Sequence, residues 1–163
     1  VLGYDGPEPV EDGTSFLENA LIKARAAYAH TGKPSFADDS GIAVEILGGS
    51  PGIFTANWSG TRDNQTNRQL LLAQLKDIAP EHRAAAFVCT LALVDGSNEI
   101  SFTGFWPGAV ATEERGTNGH GYDPVFIPEG FELTAAQLEP EIKNALSHRA
   151  QALEQLISYL RNQ

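Results

Sequence analysis

The chain has a single cysteine, Cys89, and no methionine. One thiol excludes an intrachain disulfide framework, and its place inside the apolar run 84–94 suits a core thiol better than a nucleophile. Basic residues are scarce too: 11 Lys and Arg stand against 21 Asp and Glu, a formal net charge of −10. That excludes an unaided grip on nucleic acid or an anionic membrane, which needs clustered cations. A small anion met by a few local basic groups is still allowed. No apolar run approaches the roughly 18 residues needed to span a bilayer, and no signal-peptide pattern is seen. A cytoplasmic place is therefore expected. With Val1 first and no initiator methionine, a segment ahead of Val1 is expected as well.

What is present suits one domain with a core of its own: 163 residues, 42% hydrophobic and 20% charged. Residues 1–12 are rich in Gly, Pro and acid and predict a loop. Ser15 and Glu18 form an S-x-x-E capping box, and Leu17, Ala20, Leu21, Ala24 and Tyr28 recur at helical spacing up to Gly32. On that helix Glu18, Lys23 and Arg25 are assigned to a solvated face. Residues 36–47 predict a strand, a turn and a second strand. Residues 66–78 predict another helix, with 54–60 as a loop before it.

The run 84–94 is too continuously apolar for a strand with one face in water. A reversal at 95–98 sends 99–106 back as its hairpin partner, bent at Pro107-Gly108 and continuing over 109–112. The glycine-dense stretch 115–123 predicts a loop, 125–127 a short strand, 134–138 a helical turn, and a last helix begins near Ser147. Helices alternating with a long hairpin make a mixed α/β domain and forbid a purely parallel sheet.

Four sets of residues could carry chemistry. Asp38-Asp39-Ser40-Gly41 places carboxylates beside an apolar strand, hard oxygen ligands of the kind that suit Mg²⁺ together with waters and phosphates. A plain turn accounts for the same residues. Glu11 and Glu18 flank the first helix; Glu18 is used by the capping box, which makes Glu11 the better metal candidate. Gly119-His120-Gly121-Tyr122-Asp123-Pro124 could let backbone N–H groups and an imidazole ring approach a base, or could be a simple turn. Lys143, Ser147, His148 and Arg149 gather cations around a helix N-terminus, a place that attracts anions, although surface cations would read alike. No P-loop, GxGxxG, HExxH or GxSxG pattern is present.

Taken together and in order, these residues resemble the inosine-triphosphate pyrophosphatase family. The likeness rests on Thr14-Ser15-Phe16-Leu17-Glu18-Asn19-Ala20 with Lys23-Ala24, on Ala37-Asp38-Asp39-Ser40-Gly41, on Leu47-Gly48-Gly49-Ser50-Pro51-Gly52, on Gly121-Tyr122-Asp123-Pro124 and on Ser147-His148-Arg149-Ala150. It covers essentially the whole chain. The resemblance implies an elongated mixed β-sheet flanked by helices, a homodimer, and Mg²⁺-dependent hydrolysis of inosine, deoxyinosine and xanthosine triphosphates to monophosphate and pyrophosphate. It implies Asp39 as metal ligand and proton acceptor, Glu11 close to the second acidic ligand, and Ser40 as a substrate contact. It implies His120, Gly121, Tyr122, Asp123, Lys143, His148 and Arg149 as nucleotide-binding.

Three departures accompany it. The family's first strand and its Thr/Ser-x-Asn-x-x-Lys phosphate loop have no match here. Its usual Ser-Ala-Arg-Tyr reads Thr55-Ala56-Asn57-Trp58, and its usual Phe before Gly-Tyr-Asp is His120. Two rival readings stay open at this point. One is another Mg²⁺-dependent phosphohydrolase in which Asp38 or Asp39 is phosphorylated. The other is a nucleotide-binding or dimerisation fragment without activity.

Overall fold

The computed structural model describes residues 4–163, so the first three residues of the expected loop at 1–12 lie outside the described residues. The first helix, α1, is Phe16–Thr31. Ser15 caps it by accepting the Glu18 N–H at 3.1 Å, while the Glu18 carboxylate reaches back to the N–H and hydroxyl of Thr14. The Ser15 half of the capping box foreseen from the sequence is therefore formed, while Glu18 closes on Thr14, one residue ahead of the cap, instead of on the Ser15 N–H. Ala20, Ala24 and Ala27 line its buried side, and their small side chains let the helix lie close on the sheet.

The strand that follows, β1, is Ser35–Val44 and contains no turn at Asp38-Asp39-Ser40-Gly41. Every residue from Ser35, opposite Val94, to Val44, opposite Ala85, has a cross-strand partner, so the ladder carries the chain straight through the acidic pair. The reversal comes only afterwards, at a 3₁₀ turn over Glu45–Leu47. This corrects the expected strand, turn and strand. It also places Asp38 and Asp39 mid-strand, on opposite faces of the sheet.

Residues 52–57 wind into a 3₁₀ helix that takes up the first part of the loop expected over 54–60. Helix α2 is Asn64–Gln74, capped by Asp63, whose carboxylate accepts the Thr66 N–H at 2.8 Å. It starts and ends earlier than the predicted 66–78. The buried guanidinium of Arg83 explains the early end. It takes the carbonyls of Leu75 at 2.5 Å and Ile78 at 3.3 Å, and on its other edge those of Val110 and Ala111.

Strands β2 (Ala84–Asp95) and β3 (Asn98–Val110) form the long hairpin, and β4 (Phe126–Pro128) adds the edge. The order is β1-β2-β3-β4, and every pairing among the described residues is antiparallel. The last two helices are α3 (Pro140–Leu146), which sequence patterning did not separate, and α4 (His148–Arg161). One sheet face takes α1 over Ala37, Ala92 and Val94; the other takes α4, whose Ala152 and Leu156 meet Cys89 and Leu91. The largest apolar cluster joins Ile42, Val44, Leu71, Leu75, Phe87, Trp106 and Phe126. Fully buried side chains such as Leu71 and Leu75 each contribute about 1.5–3 kcal/mol. One glycine sets where α4 begins: a Cβ at Gly104 would overlap the His148 carbonyl oxygen, so β3 admits the first turn of α4 only there.

Candidate active site

Because side chains alternate along β1, Asp39 turns toward α1 while Asp38 and Ser40 turn toward α4. On the α1 side the Lys23 ammonium stands 2.9 Å from Glu11 Oε1 and 3.8 Å from Asp39 Oδ1. Lys23 is therefore no solvated-face residue, as the helical pattern had suggested; its side chain is only 21% exposed. Burial raises the Asp39 carboxyl above its ordinary value of 3.8, and Lys23 draws it part of the way back. Asp39 Oδ2 is buried and has no hydrogen-bond partner among the described residues. An orphaned carboxylate oxygen beside a second carboxylate is a donor set that could hold a hard cation. No group of three or more His, Cys, Asp and Glu among the described residues forms a closed metal cage. These two carboxylates would need further oxygens from water or ligand. Glu11, Asp39, Asn57 and Arg62 line a cavity of about 620 Å³.

A second cavity, about 630 Å³, opens on the α4 side. His120, Gly121, Tyr122, Asp123, Lys143, His148 and Arg149 all line it, so the two basic and aromatic sets named from sequence come together. The loop carrying them is tied at three points. Gly119 and Gly121 take positive φ of 72° and 60° on either side of His120, a conformation that costs glycine nothing. The buried Asp123 carboxylate accepts the His120 N–H at 3.0 Å and pairs with the Lys143 ammonium. The Tyr122 hydroxyl donates to the Thr55 carbonyl at 2.7 Å, and burial pushes its pKa up to about 12. Arg68 adds a bond to the Gly121 carbonyl at 2.8 Å.

His148 begins α4, with its ring stacked on Phe87 at 4.9 Å and 19°. Burial, with Arg149 and Lys143 nearby, lowers its pKa from 6.5 to about 4, so the imidazole is neutral near pH 7. Its Nδ1 is buried without a partner among the described residues. Arg149 reaches across to β1, where Asp38 Oδ2 accepts from both Nε at 3.1 Å and Nη2 at 2.8 Å. Cys89 is inert by contrast, its thiol pushed up to about 12 by burial first and then by Asp38.

The two cavities meet. Ser40 and Ala56 line both, so carboxylates and an orphaned oxygen lie on one side of a single wall and neutral imidazole, guanidinium and glycine loop on the other.

The sequence model of the Ham1 family matches residues 2–159. The chain belongs to that family. A dITP/XTP pyrophosphatase of Leifsonia xyli subsp. xyli (strain CTCB07) is 56% identical to this Ham1 chain over 163 residues, spanning 99% of the chain and 82% of the relative. A dITP/XTP pyrophosphatase of Mycobacterium tuberculosis (strain ATCC 25618 / H37Rv) is 54% identical over 157 residues, 96% of the chain and 77% of the relative. Among solved structures, a HAM1 protein from Coxiella burnetii superposes with a TM-score of 0.91 at 41% identity, covering 96% of this chain and 82% of that one. The mixed α/β fold with helices against the sheet is thus a Ham1 fold.

Sequence reasoning missed several residues of this Ham1 cleft. Asn19 is buried in α1 beside the acidic cavity, where its side chain accepts the Gly13 N–H at 2.9 Å. Thr55 offers its carbonyl to Tyr122 and its hydroxyl to the Ile42 N–H at 3.0 Å. Phe87 gives His148 its stacking surface. Asn19 sits in a helix-start pattern, Thr55 in a stretch read as loop and Phe87 in an apolar run, and only the packing of α1, the 3₁₀ helix and β2 around β1 brings them to the site.

Proposed function

We propose that this Ham1 protein hydrolyses non-canonical purine nucleoside triphosphates, those of inosine, deoxyinosine and xanthosine, to the monophosphate and pyrophosphate. The observation that carries the reading is the pair of cavities meeting at Ser40, one acidic and one lined by His148, Arg149 and the glycine loop around His120. A triphosphate laid across Ser40 puts its phosphates beside Glu11 and Asp39 and its base beside His148 and Arg149. The matched dITP/XTP pyrophosphatases support it.

Glu11 and Asp39 are the residues that would hold Mg²⁺, whose chemistry when bound is to neutralise charge on the triphosphate oxygens. Cleavage of the α–β phosphoanhydride consumes one water and needs a base to take its proton. Asp39 is that base in this proposal: its burial raises proton affinity, and Oδ2 has no other partner to release. Lys23 opposes the effect of burial and favours the ionised carboxylate that accepts the proton. Ser40 orients the phosphate chain at the junction. On the other side the cleft rejects adenine: donors aimed at a 6-oxo group would be left unpaired by a 6-amino group, which costs orders of magnitude in selectivity.

A homodimer working in the cytoplasm belongs to the same proposal. The exposed apolar side chains Phe36, Phe54, Phe105 and Ile157 are compatible with a self-association surface.

Pyrophosphate release from inosine, xanthosine, guanosine and adenosine triphosphates, with Mg²⁺ and then with EDTA, tests the reading. Mg²⁺-dependent release from the first two alone is expected. Equal release from adenosine triphosphate, or release that survives EDTA, overturns it.

A further inference from the structure

Asp38 is an acidic residue beside the cleft to which the proposed reaction gives no task. It lies one residue before Asp39 but on the opposite sheet face. Its Oδ2 collects three donors: Arg149 Nη2 at 2.8 Å, Arg149 Nε at 3.1 Å and the Cys89 thiol at 3.6 Å. The pair is half-open to solvent, with side chains 48% and 35% exposed, so it contributes little to stability. It does fix direction. Two bonds to one oxygen take up the Nε and Nη2 edge of the guanidinium, and Nη2 also lies 3.4 Å from Ser40 Oγ. Arg149 Nη1 has no partner among the described residues, and Arg149 lines the base-side cavity.

We infer that Asp38 is a positioning residue for base selection: it clamps Arg149 so that the unused guanidinium edge meets the 6-oxo oxygen of an inosine or xanthine base. This rests on the pyrophosphatase reading above. Physically, an unclamped Arg149 has four side-chain torsions to order on binding and an exposed route to solvent. The clamp supplies that ordering before the nucleotide arrives. A planar guanidinium held by one edge offers its other N–H groups in a fixed plane, which suits an in-plane carbonyl and not an amino group. Asp38 and Ser40 thereby connect the wall of the phosphate-side cavity to the cation that reads the base.

The test uses the full chain and two readouts. Inosine and adenosine monophosphate binding is measured by calorimetry, and kcat and KM are measured for inosine and adenosine triphosphates. Asp38→Ala should weaken inosine monophosphate binding roughly tenfold to a hundredfold, the weight of a charge-assisted hydrogen bond, and leave adenosine monophosphate binding where it was. Its KM for inosine triphosphate should rise while kcat falls far less. Arg149→Ala should do the same, and the double variant should be no worse than Arg149→Ala, because the two residues act as one unit. Asp38→Asn, which keeps the shape and loses the charge, should fall between wild type and Asp38→Ala, and it carries the test if the alanine variant does not fold. An unchanged inosine-to-adenosine ratio in the folded Asp38 variants overturns the inference, as do losses that add in the double variant. A wild-type protein that releases no pyrophosphate overturns the parent reading instead, and the monophosphate titrations still report on the clamp.

Discussion

Asp38 and Asp39 are neighbours in the chain and face opposite ways: one carboxylate meets Arg149 on the α4 side of the sheet, the other meets Lys23 on the α1 side. A single strand thus serves both ends of the cleft, and substitutions at the two positions should have different signatures.

Asp39→Asn should lower pyrophosphate release by at least about 100-fold, the usual weight of a positioned base. It should not lower stability near neutral pH. The folded carboxyl has a raised pKa, so the native state binds more protons than the unfolded chain, and stability contributed by Asp39 is lost as pH rises above 3.8. The asparagine variant escapes that loss. Thermal melts should show it at least as stable as wild type at pH 7, with the advantage gone below 3.8.

Lys23→Met removes the cation that draws the Asp39 carboxyl back down. The acid limb of kcat/KM against pH should then move to higher pH. The rate at its maximum should fall roughly 10- to 100-fold, as for other groups that support a metal-binding carboxylate. A limb that stays in place would show that Asp39 does not govern it.

His148 makes stability depend on pH in the other direction. Its folded pKa is depressed from 6.5 to about 4, so its contribution is complete above 6.5 and is lost as pH falls toward 4. The full effect is on the order of 3 kcal/mol by linkage. Urea midpoints of wild type should drop across that window, and those of His148→Gln should drop less. Parallel curves for the two proteins would remove His148 as the cause.

Much of this was legible in the residue pattern, for reasons that differ by element. The α1 cap is local chemistry, spelled out by Ser15 and Glu18, and so is the hairpin closing between Asp95 and Asn98. The grouping of His120, Tyr122, Asp123, Lys143, His148 and Arg149 came from the family resemblance, and all six line one cavity. What stayed hidden depends on distant partners. Asp-Asp-Ser-Gly looks like a turn until β2 pairs with it, and Lys23 looks solvated until Glu11 and Asp39 arrive from elsewhere in the chain. The early end of α2 needs Arg83, whose burial no local pattern announces. Helix α3 is a single pair of turns opened by Pro140, too short to show a period.

The ion pairs have a kinetic consequence. Lys23, Lys143 and Arg149 are each already matched with a carboxylate, and among the described residues Arg62 is the arginine of the cleft that has none. With a net charge of −10 around it, this cleft has no long-range field to draw in a triphosphate. The encounter is between like charges, so screening should speed it: stopped-flow association of the nucleotide is expected to quicken from low to physiological ionic strength, where most charged-ligand enzymes slow. A rate that falls with added salt would mean that Arg62 dominates the approach.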